Sequence, residues 1–215
     1  MTSTGTASGP RRKPPQMRRD EIAAAAGRIA IAEGLVQVTA KRVAEAVGVY
    51  PGLVNHYFRS ADELVAAGFA AAAESRREKQ AAHVAGAANS PTAELRMFLN
   101  EAIATEHDSV ALLWLDAWRE SPRRPPLQLE VIRQMEIDLA DLTALLSRGV
   151  DAGDFSTDDI AASAMRILAM IDGTFGQSAV RTALRGNSTL NYPIVTEMLL
   201  RTTERELGLA AGVLG

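Results

Sequence analysis

The chain contains no cysteine. That excludes disulfides, thiolate metal sites and cysteine nucleophiles, and it fits a reducing, cytoplasmic setting. Long apolar runs are lacking as well. The longest, residues 64–73, is ten mostly alanine positions between Glu63 and Glu74, whereas a membrane-spanning helix needs roughly 20. Arg11, Arg12 and Lys13 lead into Pro14 and Pro15 instead of an apolar stretch, so neither a signal sequence nor a membrane partner is expected. Strand-like alternation and internal repeats are missing too. At 215 residues and 47% hydrophobic content, the chain is still long enough to bury a substantial core unaided.

Enzyme signatures are equally scarce. The three histidines, His56, His83 and His107, are far apart, and none follows a glutamate by three residues, which excludes the Glu-x-x-His spacing of di-iron bundles. There is no Gly-x-Ser-x-Gly elbow, phosphate loop or dinucleotide glycine fingerprint. The expectation is a protein that is not an enzyme and needs no cofactor or metal.

What is present begins with an asymmetry of charge. The net charge of −3 hides a head, residues 1–60, with nine Lys or Arg against four acids; the remainder holds 14 basic and 22 acidic residues. Such a division points to a head that meets a polyanion and a body that does not.

The pattern along the chain is helical. Residues 1–16, rich in Ser, Thr, Gly and Pro, are read as a disordered basic arm. From Met17 onward Ile22, Ala25, Ala26, Ile29 and Ala30 mark one face of a first helix, which Gly34 ends. Thr39 caps a short second helix, and Gly48 closes it by taking a left-handed conformation. Pro51 opens a brief third helix. Ser60 and Glu63 form a capping box for a long fourth, expected to reach about residue 85. A fifth starts at Ser90-Pro91, a sixth covers roughly 109–120, and a seventh follows the Arg123-Arg124-Pro125-Pro126 break. Residues 149–157 read as a loop, and an eighth and a ninth helix follow, the last over about 193–207. The expected fold is all-α with about nine helices.

Two short helices joined by a glycine-bearing turn after a longer one describe a helix-turn-helix, whose second helix enters the major groove of double-stranded DNA. Here that helix is 51–58. Tyr50, Tyr57 and Phe58, three of the chain's ten aromatic residues, cluster there.

Residues 34–64, GLVQVTAKRVAEAVGVYPGLVNHYFRSADEL, resemble the N-terminal domain of the tetracycline-repressor (TetR) family of transcriptional regulators. The matching positions are Gly34, Thr39, Val43-Ala44, Val47-Gly48-Val49, Gly52, Tyr57-Phe58, Ser60 and Leu64. The run 52–58 is most similar to the choline-sensing betaine-regulator branch, as are, more loosely, 114–120, 153–155 and 171–173. The resemblance implies a helix-turn-helix domain at 17–59 and a ligand-binding and dimerisation domain at 60–215. It implies a homodimeric repressor, joined through its last two helices and released from a palindromic operator by a small-molecule inducer. Ile167, Ile171, Ile194 and Met198 are the expected seam. The chain departs from many relatives at Tyr50, Pro51, Asn55 and Ala61, and two usual phosphate-binding lysines are replaced.

For the DNA-facing set, Asn55 and His56 suit base edges, and Tyr50 and Leu53 suit thymine methyls. Pro51 and Gly52 open the reading helix. Thr39 is either a cap alone or a cap that also touches phosphate. Tyr57 either reaches a phosphate or packs on the first helix. Lys41, Arg42, Arg59, Arg18 and Arg19 are solvated cations of which some should face phosphate. In the body, Trp114 and Trp118 lie one turn apart. Two readings stand: core packing, or a pocket in which an indole face meets a cationic ligand with Asp172 as counterion and Phe175 beside it. Asp172 alternatively belongs to the dimer seam. The competing function is an all-α protein-interaction scaffold; it explains the apolar stripes but not the basic, aromatic head.

Overall fold

The computed structural model describes residues 14–87, 89–104, 108–180 and 193–215. The expected arm falls almost wholly outside the described residues, except that its last two positions are already helical. Pro15 supplies the first residue of α1 (Pro15–Glu33), because its fixed φ and missing N–H suit that position. The inward face of α1 is the one its spacing predicts, with Ile22, Ala25, Ala26, Ile29 and Ala30 buried. Gly34 ends it at φ 92°, and a 3₁₀ turn, Leu35–Gln37, follows.

Thr39 caps α2 (Ala40–Val47), its hydroxyl accepting from the Arg42 N–H at 3.2 Å. Gly48 then leaves the helix at φ 73°, ψ 39°, a left-handed conformation that costs glycine nothing. The reading helix α3 is Pro51–Tyr57. At the start of α4 (Ala61–Ala87) the Ser60 hydroxyl accepts from the Glu63 N–H at 3.1 Å. The Glu63 carboxylate reaches back one residue further than a standard capping box, to the Arg59 N–H at 2.8 Å.

The body continues with α5 (Pro91–Ile103), α6 (Asp108–Glu120), α7 (Pro125–Asp151), α8 (Ile160–Ser178) and α9 (Pro193–Glu206). Residues 149–151, expected in a loop, belong to α7. Gly149 is buried there because the Phe155 ring folds back over it; a Cβ at 149 would lie 2.0 Å from that ring. Glycine here marks a close approach, not an exit.

Two apolar cores result. One gathers the head with parts of α4, α6 and α7, including Phe58, Phe69, Trp114 and Val131. The other fills the body around Leu99, Leu146, Phe155, Ile167 and Leu199. No described helix is long and apolar enough to cross a membrane.

Candidate nucleic-acid interface and ligand cavity

α3 is attached by one face and offered by the other. Val54 and Phe58, four residues apart, are buried at 0% and 2% exposure. Pro51, Gly52, Asn55 and His56 are exposed and Leu53 is half-buried, while Tyr50 just before the helix is 88% exposed. Gly52, Asn55 and His56 fall at i, i+3 and i+4 and so share the outward face. Tyr57 is half-buried and packs against the head core, with its ring edge-on to His56 at 5.3 Å. Packing is therefore part of its role.

The cations divide in a way their sequence does not announce. Arg42 forms a two-pronged pair with Glu33, at 2.6 and 3.1 Å, which holds the Glu33 carboxyl below its usual range. Arg18 pairs with Glu21 at 2.8 Å. Arg19 donates to the Tyr57 carbonyl at 2.7 Å and lies 4.4 Å over the Phe58 ring, so it ties the end of α3 to α1. Lys41 and Arg59 are exposed and make no ion pair among the described residues. The basic residues Arg11, Arg12 and Lys13 lie outside the described residues.

The head is joined to the body along α4. A Cβ on Gly27 would lie 2.9 Å from the Gly68 carbonyl oxygen and 3.1 Å from the Ala72 nitrogen; one on Gly68 would meet the Ala26 Cβ at 2.9 Å. α1 and α4 thus cross with backbones nearly touching. Sequence reasoning missed this pair, since glycine within a helical pattern signals only weak propensity. A second link comes from α6, where the Asp116 carboxylate accepts from the Leu35 N–H at 3.4 Å.

α6 also carries both tryptophans. Trp114 stands edge-on to Phe69 at 5.0 Å and 5.6 Å from Trp118, which stacks on Phe175 at 5.9 Å and 20°. This aromatic row runs from the head core to a cavity of about 1160 Å³ lined from α4, α5, α6, α7 and α8. Trp114, Trp118, Asp172 and Phe175 all line it. Trp114 is also core, at 6% exposure, and one face of Trp118 is already covered by Phe175.

Asp172 has its pKa pushed up to about 6, first by burial and then by the charge of Asp138. Asp138 is itself raised by burial, although Arg77 opposes that. Arg77 donates to Asp138 at 3.0 Å and to the side-chain amide oxygen Oε1 of Gln134. Arg76, Arg77, Gln80 and Asp138 line the cavity and were not foreseen; on a long helix their polarity looks like an ordinary solvated face.

Two of the expected seam residues need correcting. Ile167 and Ile171 are 0% and 4% exposed within the single chain, packed into the body's own core, so they are not free to meet another molecule. Among the described side chains, the large apolar residues that α8 and α9 leave exposed are Met165 and Met198, at 53% and 51%, and Met165 also stands at the cavity lining. Ile194 lies in α9 with its side chain outside the described residues.

The capped, glycine-closed pair α2–α3, with α3 presented outward on a basic head, defines a helix-turn-helix transcriptional regulator. Residues 21–67 match the family described as "Bacterial regulatory proteins, tetR family", and residues 91–191 match "BetI-type transcriptional repressor, C-terminal". The chain belongs to the TetR family of transcriptional regulators, a family of DNA-binding regulators and not of enzymes, whose members bind DNA and small molecules. The scaffold alternative finds no support.

Solved structures agree in fold. A TetR-family transcriptional regulator from Rhodococcus sp. has a TM-score of 0.72 at 19% identity, over 89% of this chain and 99% of that one. A transcriptional regulator from Saccharomonospora viridis in complex with choline gives 0.68 at 18%, over 89% and 98%. FadR from Bacillus subtilis in complex with stearoyl-CoA gives 0.61 at 18%, over 83% and 96%. No curated protein matches the chain in sequence.

Proposed function

We propose that the chain is a cytoplasmic homodimeric repressor that holds a palindromic operator and releases it when a small molecule enters the body. In this reading 17–59 is the DNA-binding domain and 60–215 binds the ligand and the second subunit. The observation that carries it is the two-faced α3, anchored by Val54 and Phe58 and presenting Tyr50, Asn55 and His56 outward. Asn55 pairs with an adenine edge and Tyr50 and Leu53 meet thymine methyls, contacts of about 1–3 kcal/mol for a good bidentate pair. Lys41, Arg59 and the Thr39 end of α2 hold phosphates, which fix register without reading sequence. Arg42 has a weaker claim, since Glu33 already engages its guanidinium.

Dimerisation sets the separation of the two reading helices, which on B-DNA is about 34–36 Å or a multiple of it. We assign the seam to the exposed side of α8 and α9, with Met165 and Met198 at its centre. The ligand acts by favouring a separation the operator does not accept, and its power equals its differential affinity for the two states. Movement passes through α4, crossed tightly by α1, and through α6, which touches both the cavity and the 3₁₀ turn after α1.

The test is a gel shift with the DNA upstream of the protein's own gene at two salt concentrations. Specific binding that weakens steeply with salt is expected. Weak binding indifferent to sequence would overturn the regulator reading.

A further inference from the structure

Arg76 and Gln80 sit one turn apart on α4, so their side chains leave the same face, and both line the cavity. The Arg76 Nε and Gln80 Nε2 are buried and have no hydrogen-bond partner. A buried donor left unpaired is destabilising, a penalty that a bound acceptor removes. The neighbouring cations are already engaged: Arg77 with Asp138 at 3.0 Å and Arg148 with Glu94 at 2.6 Å. Arg76 makes no ion pair among the described residues. The cavity therefore keeps two buried N–H donors, Arg76 Nε and Gln80 Nε2, unpaired on one face of α4, although the Arg76 charge is felt by Asp138.

A guanidinium with a neighbouring N–H is the donor set that matches a carboxylate. The walls leading away from it are apolar and aromatic, with Leu139, Leu142, Trp118 and Phe175 among them. We infer that the inducer is an amphiphilic organic acid whose carboxylate is held by Arg76 and Gln80 while its apolar part lies along the Trp118–Phe175 stack. This rests on the ligand-responsive reading above and names the chemistry of that site.

The cavity also carries Glu94, Glu136, Asp138, Asp141 and Asp172, of which Glu94 pairs with Arg148 and Asp138 with Arg77. Asp138 registers the charge of Arg76, whereas Asp172 registers Asp138 and not Arg76. Arg76 stands on α4 and Asp172 on α8, so the two charged groups enter the cavity from different helices.

Trp114 and Trp118 are the chain's two tryptophans, and both line the cavity, so their emission reports occupancy in the full-length protein. The probes are decanoate, decanol and decyltrimethylammonium. Decanoate is expected to shift the emission and to bind at least about tenfold more tightly than the other two, as a charged hydrogen bond on a buried site implies. Arg76→Met should weaken decanoate about tenfold and leave decanol unchanged, Arg76→Lys should restore part of the loss, and Gln80→Leu, an independent variant, should cost about threefold. Tighter binding of the cation or the alcohol, or decanoate binding indifferent to both substitutions, overturns the carboxylate assignment while the cavity remains a ligand site. If none of the three alters the emission, the assignment falls together with the ligand reading.

Discussion

At the junction of head and body, small residues bring backbones together: Gly27, Gly68, Ala26 and Ala72 let α1 cross α4 at distances where even one added carbon lies 2.9 Å from its neighbour. In the body, large residues hold helices apart. Trp114, Trp118 and Phe175 frame a cavity of about 1160 Å³. The first region is close to incompressible, since touching backbones have no side chains with which to adjust. The second has room to change volume. In the proposed mechanism the ligand acts in the body, and the head receives the result as a rigid displacement.

The comparison breaks most readily at the joint. Gly27→Val places a branched Cβ 2.9 Å from the Gly68 carbonyl oxygen and 3.1 Å from the Ala72 nitrogen, backbone atoms that cannot swing aside. It should destabilise the fold by about 3 kcal/mol, measured by thermal unfolding. Helix propensity alone predicts the reverse, because glycine is about 1 kcal/mol worse than alanine in a helix; unchanged or raised stability would remove the tight crossing from the account.

A slightly smaller effect belongs to the outer side of the body. Met165→Glu together with Met198→Glu should yield monomers by analytical ultracentrifugation and lower operator affinity about a hundredfold, since paired contacts become independent. Dimers that persist would place the seam elsewhere.

At the reading helix, Asn55→Ala should cost about 2 kcal/mol on the preferred operator and relax the preference at one base pair. Selection from a randomised operator library checks it, and unaltered selectivity would strip Asn55 of a base-reading role. The head should stay folded, because Asn55 is exposed.

The smallest effect tests the body's tolerance of charge. Asp172 has a folded pKa near 6 against a reference of 3.8. An acid raised on folding stabilises the fold while protonated, below pH 4, and loses that contribution as pH rises through 6. Asp172→Asn should therefore gain about 1 kcal/mol at pH 8, after discounting for partial exposure, and nothing at pH 4. Parallel melting curves of the two proteins across that range would contradict the assigned burial.

Local chemistry was the legible part of the sequence. The buried stripe of α1, the Thr39 and Ser60 caps, the Gly34 and Gly48 exits and Pro51 at the start of α3 all follow from properties of single residues or of one turn. Where two segments meet, that information runs out. Gly149 read as a loop because glycine ends helices, yet it serves the Phe155 ring. Ile167 and Ile171 read as a subunit seam because an apolar stripe looks the same whether a partner or the chain's own core covers it. The tryptophans, Asp172 and Phe175 drew notice as unusual residues and do share a cavity, whereas Arg76 and Gln80, on a polar stretch of α4, drew none.

The attachment of α3 has a bearing on how such a protein diversifies. Val54 and Phe58 fasten the helix from beneath, and Arg19 fastens its end from α1. Positions 50, 52, 55 and 56 are left with almost no share in holding the scaffold. Combinatorial libraries at those four sites should stay folded while their DNA preferences scatter, so new targets can be acquired without reworking the ligand sensor behind them.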